Sequence, residues 1–96
     1  MQVAIRKYSG KGAKELFDVL EQHAADLDPI MRSVKGLVSY TLGRSDDGGY
    51  SVATCRDQAG IDESVQKAQD WIERNAANTG IAAPEVSIGN VIICLR

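Results

Sequence analysis

Polar and apolar residues alternate along residues 2–8, QVAIRKY, with Val3 and Ile5 on one side and Ala4, Arg6 and Tyr8 on the other. A period of two predicts a strand. After the Ser9-Gly10-Lys11-Gly12 turn the period changes. Ala13, Leu16, Phe17, Leu20, Ala24 and Leu27 recur at spacings of three and four, the apolar stripe of an amphipathic helix. Pro29 lacks an N–H and disfavours helical geometry in the residue before it, so the helix is expected to stop near Leu27 or Asp28. Ile30-Met31-Arg32-Ser33 then forms one more loose turn. Gly36 opens a second strand, Leu37 to Leu42. Gly43 to Gly49 reads as a polar hairpin loop with an Asp-Gly turn signal, and Tyr50 to Cys55 returns as the third strand. Asp57 is a helix N-cap, followed by an apolar stripe of Ile61, Val65, Ala68, Ile72 and Ala76. Glu63–Lys67 and Asp70–Arg74 are favourably oriented pairs on the wet side of that helix. Asn78-Thr79-Gly80 ends it, and Ala83-Pro84 leads into a last strand, Val86 to Leu95.

The element lengths agree. A helix of about 15 residues and a strand of about 7 both span roughly 23 Å, so each helix can return the chain along the sheet. Right-handed crossovers then favour an α+β fold of the ferredoxin-like βαββαβ kind over residues 1–96. It has a four-stranded antiparallel sheet in the order 4-1-3-2 with two helices on one face. Val91-Ile92-Ile93-Cys94-Leu95 is expected to place apolar side chains on both faces of that sheet. One helical layer cannot cover both, and the sheet of a second copy would complete the cover, which predicts a homodimer.

The formal net charge of −2 gives no basic face for nucleic acid or anionic lipid. No apolar run approaches the ~20 residues of a membrane span. The first residues lack the apolar core and cleavage site of a signal peptide, so the expected compartment is the cytoplasm. Cys55 and Cys94 show no metal-ligand spacing and are expected to be free, half-buried thiols near strand ends. In the predicted strand order the first strand separates them by about two 4.8 Å spacings, too far for a disulfide within one subunit.

Candidate chemistry is sparse. His23, the one histidine, lies beside the apolar stripe of the first helix, either as a boundary residue or as a general acid–base. Ser64, Ala68, Trp71 and Asn75 form a second stripe on the last helix. They either pack in the core and against a partner, or line a flat pocket in which Trp71 is the wall and Ser64 and Asn75 donate or accept hydrogen bonds. Tyr8, Tyr40 and Tyr50 are strand residues that can bring a hydroxyl to such a pocket. Gly10-Lys11-Gly12 lacks the spacing of a phosphate-binding loop and reads as a plain turn. One histidine and two remote cysteines cannot form a zinc cage, the acidic residues suit a hairpin and a helix start, and no metal or cofactor site is read. The third strand, Gly49 to Cys55, has one aromatic and no basic lead-in, unlike an RNA-binding strand. The CxxC of metal carriers with this fold is absent.

Taken with the Gly10-Lys11-Gly12 turn, the stretches Leu27-Asp28-Pro29-Ile30-Met31 and Val34-Lys35-Gly36-Leu37-Val38-Ser39-Tyr40 resemble the dimeric α/β-barrel superfamily, which includes antibiotic-biosynthesis monooxygenase-like domains. Cys55-Arg56-Asp57, followed by a helix with Ser64 and Trp71, adds to the resemblance. It implies two four-stranded sheets packed into a barrel and a small hydrophobic ligand between helices and sheet. Two signatures depart from it. Quinone-forming members have a histidine on the second helix where this chain offers Ser64. Haem-degrading members have an asparagine on the first strand and a histidine beyond the tryptophan, and both are missing. The expected function is therefore a homodimeric small-molecule-binding domain of unassigned chemistry. Its pocket lies between helices and sheet, with His23, Tyr40, Ser64, Trp71 and Asn75 as candidate lining. The alternative is a cofactor-independent monooxygenase-like enzyme acting on a small apolar or aromatic substrate.

Overall fold

The computed structural model describes residues 1–80 and 83–95. Strand β1 (Gln2–Ser9) leads to helices α1 (Ala13–Gln22) and α2 (Ala24–Arg32). Strands β2 (Leu37–Ser45) and β3 (Gly48–Cys55) form a hairpin, followed by helix α3 (Gln58–Asn75), a short 3-10 turn (Ala77–Thr79) and strand β4 (Glu85–Asn90). The antiparallel sheet has the order β2-β3-β1-β4, the expected 4-1-3-2 read from the other edge.

The helices cover one face. β1 presents Ala4, Arg6 and Tyr8 to them, all buried. Gly49, Ser51, Ala53 and Cys55 of β3 lie opposite Tyr8, Arg6, Ala4 and Gln2, and so share that face. Gly12 enters the first helix at φ 81°, left-handed backbone that glycine adopts without steric cost. From there Leu16, Phe17 and Leu20 reach the sheet. Phe17 meets Tyr8 edge to face with ring centroids 5.8 Å apart. Asp57 caps α3 by accepting from the Gly60 N–H at 3.0 Å, and Glu63 pairs with Lys67 at 2.8 Å. Ile61, Ser64, Ala68 and Trp71 turn inward.

Four sequence expectations are corrected. Pro29 does not stop the first helix, because the chain breaks earlier, at His23 (φ −112°, ψ 19°), and restarts as α2 with Pro29 inside it. The proline forfeits one backbone hydrogen bond, while burial of Leu27 and Met31 on the same helix offsets that loss. The hairpin is tighter than expected: Ser45 pairs with Gly48, leaving only Asp46 and Asp47 in the turn. The last helix ends at Asn75 rather than at Asn78–Gly80, and Gly80 instead closes the short 3-10 turn in left-handed geometry. Finally, β4 ends at Asn90, opposite Gln2. Past Asn90 the Val91 N–H still donates to the Met1 carbonyl at 3.0 Å. Ile92, Ile93 and Leu95 leave the sheet and stand 99%, 73% and 86% exposed, instead of lining its two faces. Cys55 is buried at the end of β3, and Cys94 lies past the last strand; both are free.

Gly49 has no room for a side chain, because a Cβ there would overlap the Phe17 ring. Gly49→Ala is expected to lower stability by about 1–3 kcal/mol through overpacking. Urea unfolding of the variant against the parent checks this, and an unchanged midpoint would contradict the packing described.

Candidate functional site

Space remains at one side of the helical layer. Between α2 and β2 an open cleft of about 430 Å³ is walled by Ala24, Leu27, Met31, Leu37, Tyr40 and Leu42. A bulge in β2 between Leu37 and Ser39 interrupts the regular alternation of the strand, and Leu37, Val38, Ser39 and Tyr40 all border the cleft. Its rim carries an ion pair within α2, Arg32 Nε to Asp28 Oδ1 at 2.5 Å. A cleft of this size suits a small organic molecule, and its walls are mostly apolar.

Deeper in, two cavities of about 10 Å³ each lie between sheet and helices. Each has room for about one water. Leu27, Tyr40 and Leu42 border both the cleft and the first of these, whose inner wall includes Trp71 and Tyr8. The second reaches Ser64 and Val65. Tyr40 borders all three spaces, while Arg6, Ser51 and Ala68 border both inner ones.

The five candidate residues divide. Trp71, 6% exposed, and Tyr40, half-buried, share the first inner cavity; Tyr40 and Ser64 share the second. The Ser64 hydroxyl donates back to the Ile61 carbonyl at 2.8 Å, which leaves its oxygen free to accept. His23 borders none of the three spaces, yet its ring lies 5.9 Å from that of Trp71, brought there by the break between α1 and α2. Its Nδ1 is 3.2 Å from Asp26 Oδ2 on an exposed surface. Asn75 is exposed, and its amide donates to the Trp71 carbonyl of its own helix, away from the cavities.

Sequence reasoning passed over Arg6. It is 5% exposed, among the helix-facing residues of β1, with its guanidinium carbon 5.4 Å from the centre of the Tyr8 ring. Its Nε has no hydrogen-bond partner, and among the described residues no carboxylate pairs with it. The available signal was positional: an arginine between Ala4 and Tyr8 on the side of the strand that lies under the helices.

Burial pushes the phenol of Tyr40 up from the ordinary tyrosine value, against the pull of the Ser51 hydroxyl and the Arg6 charge. Burial raises Tyr8 as well, with Arg6 again opposing. Burial also pushes the Cys55 thiol up; the Asp57 charge adds to this and the Ser64 hydroxyl partly offsets it. The inner cavities are thus bordered by hydroxyls of Tyr8, Tyr40, Ser51 and Ser64 around the Arg6 guanidinium. Among the described residues no cluster of metal-ligating side chains occurs, and no helix is long and apolar enough to cross a membrane.

No protein-family model matches the chain, and no curated protein matches it by sequence. Solved structures do match by fold. A monooxygenase of Streptomyces coelicolor, in complex with nanaomycin D, superposes with a TM-score of 0.63 at 17% identity over 99% of this chain and 90% of its own. SnoaB, a cofactor-independent oxygenase of Streptomyces nogalater, gives 0.64 at 19% identity over 98% and 95%. A dimeric ferredoxin-like protein of an uncultured marine organism gives 0.64 at 18% identity over 98% and 95%.

Raised tyrosine values carry a stability signature. The unfolded chain loses its phenolic protons near pH 10, while the folded chain still holds those of Tyr8 and Tyr40. Above that pH the unfolded state binds fewer protons, so stability falls as pH rises, and it is fully present below. Urea midpoints measured from pH 8 upward should be flat at first and then decline, and Tyr40→Phe should shallow the decline. A decline of parental steepness in that variant would contradict the assignment. The chain shares the ferredoxin-like fold of these oxygenases and of the dimeric ferredoxin-like protein.

Proposed function

We propose that the chain is a homodimeric small-molecule-binding domain whose ligand occupies the α2–β2 cleft and reaches inward past Tyr40 toward Trp71. The observation that carries this reading is the adjoining space: an apolar cleft of about 430 Å³ shares the walls Leu27, Tyr40 and Leu42 with a cavity against Trp71. Apolar walls supply the affinity, and a few polar groups set the orientation.

The dimer is supported by what the helices leave uncovered. Ile5 and Tyr50, on the sheet face away from the helices, are 42% and 39% exposed. Val86 and Ile88 of β4 remain half-exposed, and Ile92, Ile93 and Leu95 follow as an apolar arm. So many large apolar groups left outside the helical layer suit a second copy better than water. A solved structure of the same fold is of a dimeric protein. Because Ile92 and Ile93 lie off the sheet, replacing both with Asp is expected to leave circular dichroism unchanged while converting a dimer to a monomer in sedimentation at micromolar concentration. A parent chain that sediments as a monomer would overturn the dimer.

Ligand binding is tested by calorimetric titration with 1-naphthalenemethanol, a neutral aromatic probe. Ala24 is exposed and borders the cleft, so Ala24→Trp fills the space without disturbing the core. Affinity should fall about tenfold or more, the equivalent of losing one well-buried contact. Equal affinity in parent and variant would place binding elsewhere. A second reading, a cofactor-independent monooxygenase acting on an aromatic substrate, is favoured by one observation: the His23 imidazole beside Trp71, where it could take a proton from a phenolic substrate. Oxygen uptake with 1-naphthol, lost on His23→Gln, would select that reading; binding with no oxygen uptake selects the first.

A further inference from the structure

The pocket reading leaves one charge unexplained. Arg6 stands on the central strand at the floor of both inner cavities, 5% exposed. Burying a guanidinium without an anion costs several kcal/mol. Two arginines on the surface, where a charge is cheap, are nonetheless paired: Arg32 with Asp28, and Arg44 with Asp18 and Glu21. Arg6 is in none of these ion pairs, and its Nε lacks an acceptor. One other buried polar atom lacks a partner, Gln2 Oε1. It cannot serve: Gln2 lies four residues back along the strand, about 13 Å at 3.3 Å per residue, while the guanidinium lies near the Tyr8 ring, two residues ahead. The neighbours Tyr8, Tyr40 and Ser51 supply hydroxyls, and burial keeps the two phenols neutral. Nothing within the described chain neutralises the cation.

We propose that the ligand of this cleft carries a carboxylate, and that Arg6 is the residue that receives it. The inference rests on the pocket reading and specifies its ligand class: an apolar, ring-bearing acid whose body fills the α2–β2 cleft and whose carboxylate points inward. A guanidinium binds a carboxylate through two parallel N–H donors, and in a site shielded from water that pairing is strong and directional. The cavities beside Arg6 each hold about one water, less than a carboxylate needs. Tyr40, common to the cleft and both cavities, is the side chain that has to turn aside to admit the acid.

The test pairs two probes of one shape and different charge, 1-naphthoate and 1-naphthalenemethanol, titrated into the full chain at pH 7. Charge-assisted hydrogen bonds predict that naphthoate binds about tenfold or more tighter. Arg6→Gln should erase that preference, bringing the two probes' affinities within about twofold of each other, and its thermal midpoint should equal or exceed the parent's, since an unpaired buried charge has been removed. Arg6→Lys, which keeps the charge without the fork, should retain part of the preference. If Arg6→Gln fails to fold, the parent's two affinities and Arg6→Lys still decide the matter. Equal affinities in the parent, or a preference that survives Arg6→Gln, overturn the carboxylate but leave the pocket standing. Binding of neither probe overturns both.

Discussion

One layer of helices must shield a four-stranded sheet, and it reaches only the middle of it. That constraint arranges everything else. β1 is paired on both sides, with β3 and with β4, so its alternate residues Ala4, Arg6 and Tyr8 lie at the centre of the covered face. Their burial is set by position in the sheet, not by their own chemistry. The tightest part of the layer is at Gly49, where the absence of a side chain lets Phe17 rest on the strand against Tyr8. α1 and α3 follow from that contact, since each connects strands that skip a neighbour and must cross the same two central strands to do so.

At the other end the layer is looser. The chain breaks at His23, and α2 stands off β2 and leaves the cleft. A buried cation beside this loosened edge is an expensive arrangement for stability alone. Replacing such groups with apolar ones of similar volume is often neutral or favourable. A site that exchanges water for an anionic ligand gives that expense a use, and Tyr40 ties the two regions together by bordering both.

The opposite edge shows the same limit of a single layer. β4 lies beyond the helices, and Val86 and Ile88, on the helix side of the sheet by register with Arg6 and Ala4, stay exposed. The strand then outruns β1, whose first residues pair with its last. Past Asn90, Ile92, Ile93 and Leu95 continue off the sheet as an exposed apolar arm.

Much of this was legible in the sequence. The period of two in β1 separated Ala4, Arg6 and Tyr8 from Val3 and Ile5; the 3.6 period placed Leu16, Phe17 and Leu20 on the buried side of α1; and Asp57 marked the start of α3. Those features are local, fixed by backbone geometry and side-chain polarity within a few residues. Of the residues bordering the cavities, the sequence supplied Trp71 and Ser64 through a stripe beside the core stripe of the last helix, and Tyr40 through its place on a strand. It could not supply the run of α2 through Pro29, since burial of Leu27 and Met31, a tertiary gain, outweighs the local cost of Pro29 in a helix. Nor could it give the end of β4, which depends on its register with β1, 78 to 88 residues away. Arg6 is the clearest case. Its place on the buried side of β1 follows from alternation alone, but whether a charge there meets a carboxylate, water or nothing depends on which helices and strands close over it, and only the assembled layers decide that.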